Sequence, residues 1–372
     1  MRSTHPLRRV VAVAVAAAAL GAVLVQLEID GAAPGCCRGV YVSLYDRPAS
    51  NVESVLGRGD GQAFAALAQD PLLRRPEVIT PHGEFAYRAQ RPAWGYLAWA
   101  MSAGDPARVP WALAALTVLS LGFATAALGL LLLDRGANPW FALGLVPLAA
   151  ATIAELTPEL LGLGLAAFGL AAWQRDRTAT CAVLLGGAAL TRESLLVVPA
   201  VLLMTELISA RRTAEWAWRR LIALAVPFAL FGAWVLVLRF RLGAWPTRSS
   251  SNRLSLPLVG FGRALGEWSS PAMSAIGLTV MVVLLIGAVI GAPRDRATWI
   301  AIGFAAFATV LGHDVWVAWR SSGRALLPCA AFAFVAVVAA ATRGGVERSS
   351  DRRPRVQRHG DVEPRKELEP AR

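Results

Sequence analysis

The sequence predicts an all-α polytopic membrane protein, and three observations support this. Hydrophobic residues make up 56% of the 372-residue chain and charged residues only 17%, whereas soluble proteins carry about 25% charged residues. The mean hydropathy is +0.50. The apolar residues also form blocks that approach the roughly 20 residues needed to cross a bilayer as a helix. Within residues 1–342, these blocks predict about 10 transmembrane helices (range 8–11): 10–27, 109–133, 140–156, 159–173, 178–191, 194–208, 221–240, 273–292, 297–312 and 325–342.

Two stretches, 140–173 and 178–208, are short for two crossings and a turn. Each contains a polar turn, Thr157-Pro158-Glu159 in the first and Thr191 to Ser194 in the second. A charged side chain in mid-bilayer costs several kcal/mol. We therefore expect two short helices that meet at each polar turn, rather than one long helix.

Arginine placement predicts the orientation, because short cytoplasmic loops collect Lys and Arg. Both termini are then cytoplasmic in the plasma membrane, and the segments 28–108 and 241–272 are extracytoplasmic. The first apolar block also fits a cleaved signal peptide, but its length and the QLEID that follows favour an uncleaved anchor. The net charge of +12 favours membrane lipid headgroups over nucleic acid as a partner, since no basic and aromatic pattern is present. Residues 343–372 are predicted to be a disordered tail.

The first extracytoplasmic loop, 28–108, is longer than a simple connection requires. Its pattern predicts short interfacial helices beginning at Gly61 and at Pro92. Asp60 stands at the start of the first of these helices, between two glycines. It is interpreted either as a helix cap or as a carboxylate held at the outer face for chemistry. Asp30, directly after the first span, is a second candidate base.

Further polar residues gather on the same predicted side of the membrane. Polar residues at membrane depth usually face a cavity or a partner. Arginine suits a phosphate, because its planar fork stays charged and donates two parallel hydrogen bonds. The candidate binding residues are Gln62, Arg88, Arg91, Glu159, Arg192, Glu193, His313 and Arg324.

Two motifs carry a resemblance to a known family. They read Asp60-Gly61-Gln62 with Phe64, Ala68 and Asp70-Pro71, and then Tyr87-Arg88-Ala89-Gln90-Arg91-Pro92. Together with a large outer loop and paired short helices, they resemble the GT-C superfamily of membrane glycosyltransferases. The closest likeness is to bacterial members linked to cell-surface glycopolymer formation, and it extends over about residues 10 to 342.

The resemblance implies an inverting glycosyltransferase that moves a sugar from a polyprenyl-phosphate donor to an extracytoplasmic glycan or lipid acceptor. Asp60 would be the general base, and arginines would stabilise the leaving phosphate. No cofactor is required by the sequence. Some members of the superfamily use a divalent cation, and Mg²⁺ or Mn²⁺ could be held by Asp60, Glu159 and His313, although nothing in their spacing demands it.

Two other function classes stay open at this stage. Many spans with polar turns also describe a transporter or a lipid flippase, but the hydropathy shows no inverted repeat and the ionisable residues do not form a path through mid-span. A non-catalytic partner in cell-envelope polymer assembly also fits, because a fold does not establish activity.

Overall fold

A computed structural model describes residues 5–32, 50–57, 59–74, 82–213, 216–246 and 254–351. The described residues are almost entirely helical and contain no β-strand, only an isolated antiparallel bridge between Leu254 and Leu311. In chain order the helices are α1 (His5–Asp30), α2 (Asn51–Leu56), α3 (Gly61–Gln69), α4 (His82–Ala89), α5 (Pro92–Met101), α6 (Val109–Asp134), α7 (Leu145–Leu148), α8 (Ala150–Ile153), α9 (Glu159–Gln174), α10 (Thr178–Thr191), α11 (Val197–Thr213), α12 (Trp218–Leu242), α13 (Val259–Ala264), α14 (Pro271–Gly291), α15 (Arg296–Thr309), α16 (His313–Val317) and α17 (Trp319–Asp351).

The chain is an all-α membrane protein by the length and apolar character of its helices. Among the described residues, six helices are long and apolar enough to cross a bilayer: Pro6–Asp30, Pro106–Asp134, Glu193–Thr213, Trp218–Leu242, Pro271–Gly291 and Trp319–Arg343. The other four predicted blocks form shorter or interrupted helices. Three of these blocks overlap the shorter apolar helices Pro139–Leu148, Glu159–Gln174 and Thr178–Thr191. The fourth block, 297–312, overlaps α15.

The predicted polar turns do separate helices, but the helix after the second turn is not short, since Glu193–Thr213 has 21 residues. Helix α9 begins at Glu159, directly after the first turn, and α10 ends at Thr191, where the second turn starts. The block 140–156 was predicted as one helix, and this is wrong. A 3₁₀ segment at Pro139–Gly144 is followed by α7 and α8, four residues each.

Glycines allow the long helices to approach closely. A Cβ at Gly122 of α6 would lie 2.9 Å from the Ala14 carbonyl oxygen of α1, and a Cβ at Gly21 of α1 would lie 3.0 Å from Leu121. Small residues at helix interfaces are the usual means of packing in a bilayer, where hydrophobic burial gives little drive. Helix α1 is thereby an integral part of the bundle.

The two ends of the bundle differ in chemistry. At one end, here called the basic end, loops are joined by ion pairs: Arg135 binds Asp295 through two hydrogen bonds of 2.7 and 2.8 Å, Arg175 pairs with Asp134, and Arg220 pairs with Asp176. The opposite end carries α3, α4 and α5 and the polar turns at Glu159 and Arg192. The helix α17 passes from that end and continues to Asp351, beyond the predicted boundary at 343. Residues 352–372 of the predicted tail, like 33–49 and 75–81 of the outer loop, lie outside the described residues.

The two helices predicted to begin at Gly61 and Pro92 are confirmed as helices. Helix α3 begins at Gly61 and α5 begins with Pro92 as its first residue. The two helices pack tightly, since a Cβ at Gly95 would lie 2.7 Å from Leu67. The buried Trp94 indole donates to the Leu156 carbonyl at 3.1 Å, and Trp234 of α12 donates to the Ala89 carbonyl at 2.8 Å. These contacts attach the outer loop to the membrane bundle and fix where Asp60 lies.

Candidate functional site

Asp60 lies between three arginines rather than capping α3. It occupies the N-cap position, but its carboxylate accepts no hydrogen bond from the helix, so its interpretation as a side-chain cap is wrong. Arg88 Nε donates to Asp60 Oδ1 at 3.0 Å. The Asp60 Oδ2 atom lies 3.4 Å from Arg324 Nη1 and 3.9 Å from Arg91 Nη1. These positive charges compete with the helix for the carboxylate.

The arginines keep Asp60 ionised. Burial disfavours the charged carboxylate, but Arg324, Arg88 and Arg91 outweigh that effect, and the pKa of Asp60 lies well below its usual range. A carboxylate with such a pKa has little affinity for a proton. In this arrangement Asp60 is better placed to neutralise arginines than to accept a proton.

Glycines next to Asp60 allow the turn to pack on a buried glutamate. A Cβ at Gly59 would overlap the Glu155 carboxylate, 2.6 Å from its Cδ atom, and a Cβ at Gly61 would lie 2.8 Å from the Glu155 carbonyl oxygen. Glu155 is 5% exposed and lies 2.8 Å from Arg324 Nη1. The glycines thus bring the Asp60 turn against Glu155, a close approach that the sequence suggested only for a substrate.

This packing predicts the effect of a small substitution. Gly59→Ala is expected to lower the free energy of unfolding by about 1–3 kcal/mol, because the added methyl must displace a buried, paired carboxylate. Thermal unfolding in detergent would measure it. The matched control is Gly262→Ala, where a Cβ meets nothing within 4 Å. Equal melting temperatures for the two variants would contradict the contact.

The other glutamates of the network, Glu155, Glu159 and Glu193, also pair with arginines. Arg91 holds Glu193 through two hydrogen bonds of 2.6 and 2.7 Å and also donates to the Tyr87 hydroxyl at 2.7 Å. Arg192 pairs with the buried Glu159. The Arg324 Nη1 atom lies 3.8 Å from Glu159 as well as close to Glu155. Buried ion pairs of this kind fix geometry, and removal of one partner leaves a costly buried charge.

A cavity of about 540 Å³ opens onto this network, within the ~300–1,000 Å³ typical of small-molecule sites. Its charged lining consists of four arginines, Arg88, Arg91, Arg192 and Arg324, and three carboxylates, Asp60, Glu193 and Asp314. Glu155 and Glu159 pair with Arg324 and Arg192 from behind this lining. The apolar lining is Pro246, Leu254, Phe307, Leu311, Val315 and Ala325. The combination suits an anionic group that carries an apolar substituent.

The structure brings together five of the predicted binding residues and separates others. Arg88, Arg91, Arg192, Glu193 and Arg324 line the cavity with Asp60. Glu159 lies behind the wall, paired with Arg192. Gln62 is absent from the lining, and its Oε1 atom is buried with no hydrogen-bond partner among the described residues.

Asp30 and His313 lie away from this network. Asp30 ends α1 and accepts a hydrogen bond from Gln26. His313 is paired with Glu267 at 2.9 Å and with Asp314 at 3.2 Å. The three residues suggested for a metal are not brought together. Within the described ranges, no group of three or more His, Cys, Asp or Glu side chains is arranged to hold a metal ion.

Sequence reasoning missed Glu155 and Asp314 as site residues. Glu155 stands at the end of an apolar run, and the block 140–156 included it as part of a span. Its charge within that run was the available signal, because an ionisable residue at membrane depth is expected to face a partner.

Comparisons with known proteins add no family to these observations. Neither the family models, nor the curated proteins, nor the solved structures give a match to this chain.

Proposed function

We propose that the chain is an integral membrane glycosyltransferase that transfers a sugar from a polyprenyl-phosphate donor to an extracytoplasmic acceptor. The observation that carries the proposal is the cavity at one end of the bundle, whose lining includes four arginines, Asp60 and an apolar wall. Guanidinium groups match phosphate oxygens with two parallel hydrogen bonds. The apolar wall offers a place for the first carbons of the lipid.

The chemistry needs one base and a stabilised leaving group. A sugar hydroxyl is a poor nucleophile near neutral pH, and a positioned carboxylate is worth roughly 10²–10⁴-fold as general base. Asp60 is the carboxylate that lies close to three arginines of the cavity wall, Arg88, Arg91 and Arg324. The leaving lipid phosphate gains negative charge as the bond breaks, and Arg88, Arg91 and Arg324 are placed to stabilise it. Direct displacement would invert the anomeric carbon.

The GT-C-like architecture also belongs to this proposal. The short helices α9 and α10 and the broken segment 139–153 would add crossings to the six long helices, and with α15 they make about ten. An even number returns both termini to one side. The ion pairs of the basic end lie among arginine-rich loops, which supports a cytoplasmic position for that end and an extracytoplasmic position for the cavity.

Cysteine labelling tests the orientation. In a chain with its native cysteines replaced by serine, Ala107→Cys at the exposed start of α6 is expected to react with an impermeant maleimide in intact cells. Ser350→Cys is expected to react only after lysis. The reverse pattern would mean that the cavity faces the cytoplasm, where it could not bind an extracytoplasmic acceptor, and would contradict the proposal.

Mass spectrometry of cells with and without the gene tests the activity. Loss of a transferase should increase its polyprenyl-phosphate sugar and remove the corresponding sugar from the envelope glycans. A transporter or flippase would change the distribution of the lipid-linked sugar between leaflets instead. Identical lipid-linked sugars and envelope glycans in the two strains would contradict the proposal.

A further inference from the structure

The ion pairs of Asp60 resemble those that a bound phosphate would make. Its two oxygens face Arg88 at 3.0 Å, Arg324 at 3.4 Å and Arg91 at 3.9 Å, and all three arginines line the cavity. A carboxylate and a phosphate present similar oxygen pairs to guanidinium groups. Asp60 therefore occupies the position at which these arginines converge.

Arg91 and Arg324 do not depend on Asp60 for their positions. Arg91 is held by Glu193 through two hydrogen bonds, and Arg324 lies 2.8 Å from Glu155. All three Asp60 ion pairs are longer than these contacts. The Asp60 side chain is also 18% exposed, whereas Glu155 is 6% exposed. Glu193 is 25% exposed, but it is held by Arg91 through two hydrogen bonds. Asp60 is thus the exposed carboxylate that an incoming anion can replace while Arg91 and Arg324 stay in place.

We infer that Asp60 occupies the anion subsite of the cavity and is displaced from its arginines when a singly charged phosphodiester binds. This inference rests on the proposed function for the identity of the ligand. One negative charge is chosen because the ligand would replace Asp60, whose carboxylate carries one. A phosphodiester has one ionised oxygen, so the charge that faces Arg88, Arg91 and Arg324 would stay the same.

Displacement would couple donor binding to activation of the base. Asp60 would lose the arginines that hold its proton affinity low, since they would then face the phosphate. In the transfer step the acceptor oxygen bonds to the anomeric carbon as its proton passes to Asp60. The bond between that carbon and the phosphate oxygen breaks, and the electron pair stays on the phosphate. Asp60 would therefore become an effective base only with the donor in place.

A binding measurement tests this competition without requiring catalysis. The probe is methyl farnesyl phosphate, a singly charged phosphodiester, titrated into purified protein in nanodiscs, with uncharged farnesol measuring partition of the tail. Asp60→Asn is expected to bind the probe at least about fivefold more tightly than the native protein, because the internal competitor is removed and more molecules are binding-competent. Arg324→Gln is expected to bind at least about tenfold more weakly.

Asp314→Asn is the matched control. It removes the same charge from the same cavity, but Asp314 pairs with His313 rather than with an arginine. We expect its affinity for the probe to rise by less than about twofold, because salt screens the remaining effect. Equal or weaker binding by folded Asp60→Asn, or an equal gain in Asp314→Asn, would overturn the inference.

Proton uptake provides a second test on the native protein. A displaced Asp60 regains proton affinity, so binding at pH 4, near the ordinary pKa of an aspartic acid, should take up part of a proton, whereas the phosphodiester itself does not titrate there. Calorimetry in two buffers of different ionisation enthalpy measures the uptake. We expect it to persist in Glu155→Gln and to disappear in Asp60→Asn. No uptake in the native protein would overturn the inference even if Asp60→Asn failed to fold.

The two proposals fail separately. If the protein shows this binding pattern but transfers no sugar, the proposed function is wrong and the inference that Asp60 is displaced still holds. If the protein transfers sugar but Asp60→Asn binds the probe no better than the native protein, the proposed function holds and the inference that Asp60 competes with the phosphodiester is wrong.

Discussion

Asp60→Asn is expected to lower sugar transfer at least about 100-fold, because the amide cannot accept the proton of the acceptor hydroxyl. The asparagine oxygen can still accept a hydrogen bond from Arg88, so the variant should fold. The loss should fall on kcat, with no rise in the KM for the donor, because the arginines remain. Steady-state kinetics with a lipid-linked donor would separate the two parameters.

Asp60→Glu and Asp30→Asn complete this test. Asp60→Glu should also be poor, since one methylene moves the carboxylate by about 1 Å and such a displacement can cost about 100-fold. Asp30→Asn makes the same charge change outside the cavity and should keep normal transfer. A folded, fully active Asp60→Asn protein would remove Asp60 from the catalytic role, and loss of transfer in Asp30→Asn would pass that role to Asp30.

Arg324→Ala is expected to have the second largest effect, because it removes the cation shared by Asp60, Glu155 and Glu159. Loss of a charge-assisted hydrogen bond to the donor phosphate should weaken donor use by about ten- to a hundredfold. Arg324→Lys should restore only part of it, because the planar fork is lost. Donor-dependent kinetics and a parallel thermal unfolding curve would measure both effects.

The stability of the Arg324 variant should fall as well. Three carboxylates would be left with less positive charge, and removal of one partner from a buried pair costs about 3–5 kcal/mol. Arg192→Ala should show the same direction through Glu159, and Arg263→Ala, at an exposed position on α13, should change neither property. Normal donor kinetics in both the Arg324 and Arg192 variants would make these arginines structural.

Local signals predicted the parts of the fold that depend on neighbouring residues. Pro92 marked the start of α5, because proline restricts the backbone to a conformation that suits the first residue of a helix. Gly61 marked the start of α3, because glycine leaves the backbone free to turn there. The polar turn before Glu159 separated two helices because a buried charge is costly in a bilayer. The broken segment at 139–153 was not predicted, since apolar composition alone does not distinguish one helix from several short ones.

The sequence predicted which site residues lie on one side of the membrane, but it did not predict which of them form ion pairs. Arg324 and Asp60 are separated by 264 positions in the chain, and no local pattern shows that they meet. The cap interpretation of Asp60 was wrong because three arginines from distant elements compete for the carboxylate. Glu155 was missed because its role depends on the close approach of Gly59, which only the tertiary structure provides.

Conversion of the donor by purified protein tests the central claim most directly. The native protein and Asp60→Asn would be reconstituted in liposomes with lipids and envelope glycans extracted from cells that lack the gene, and polyprenyl-phosphate sugars would be followed by mass spectrometry. The native protein is predicted to convert one such lipid to free polyprenyl phosphate and to place its sugar on an acceptor, and Asp60→Asn is predicted not to. No conversion by folded native protein, or equal conversion by both, would contradict the account.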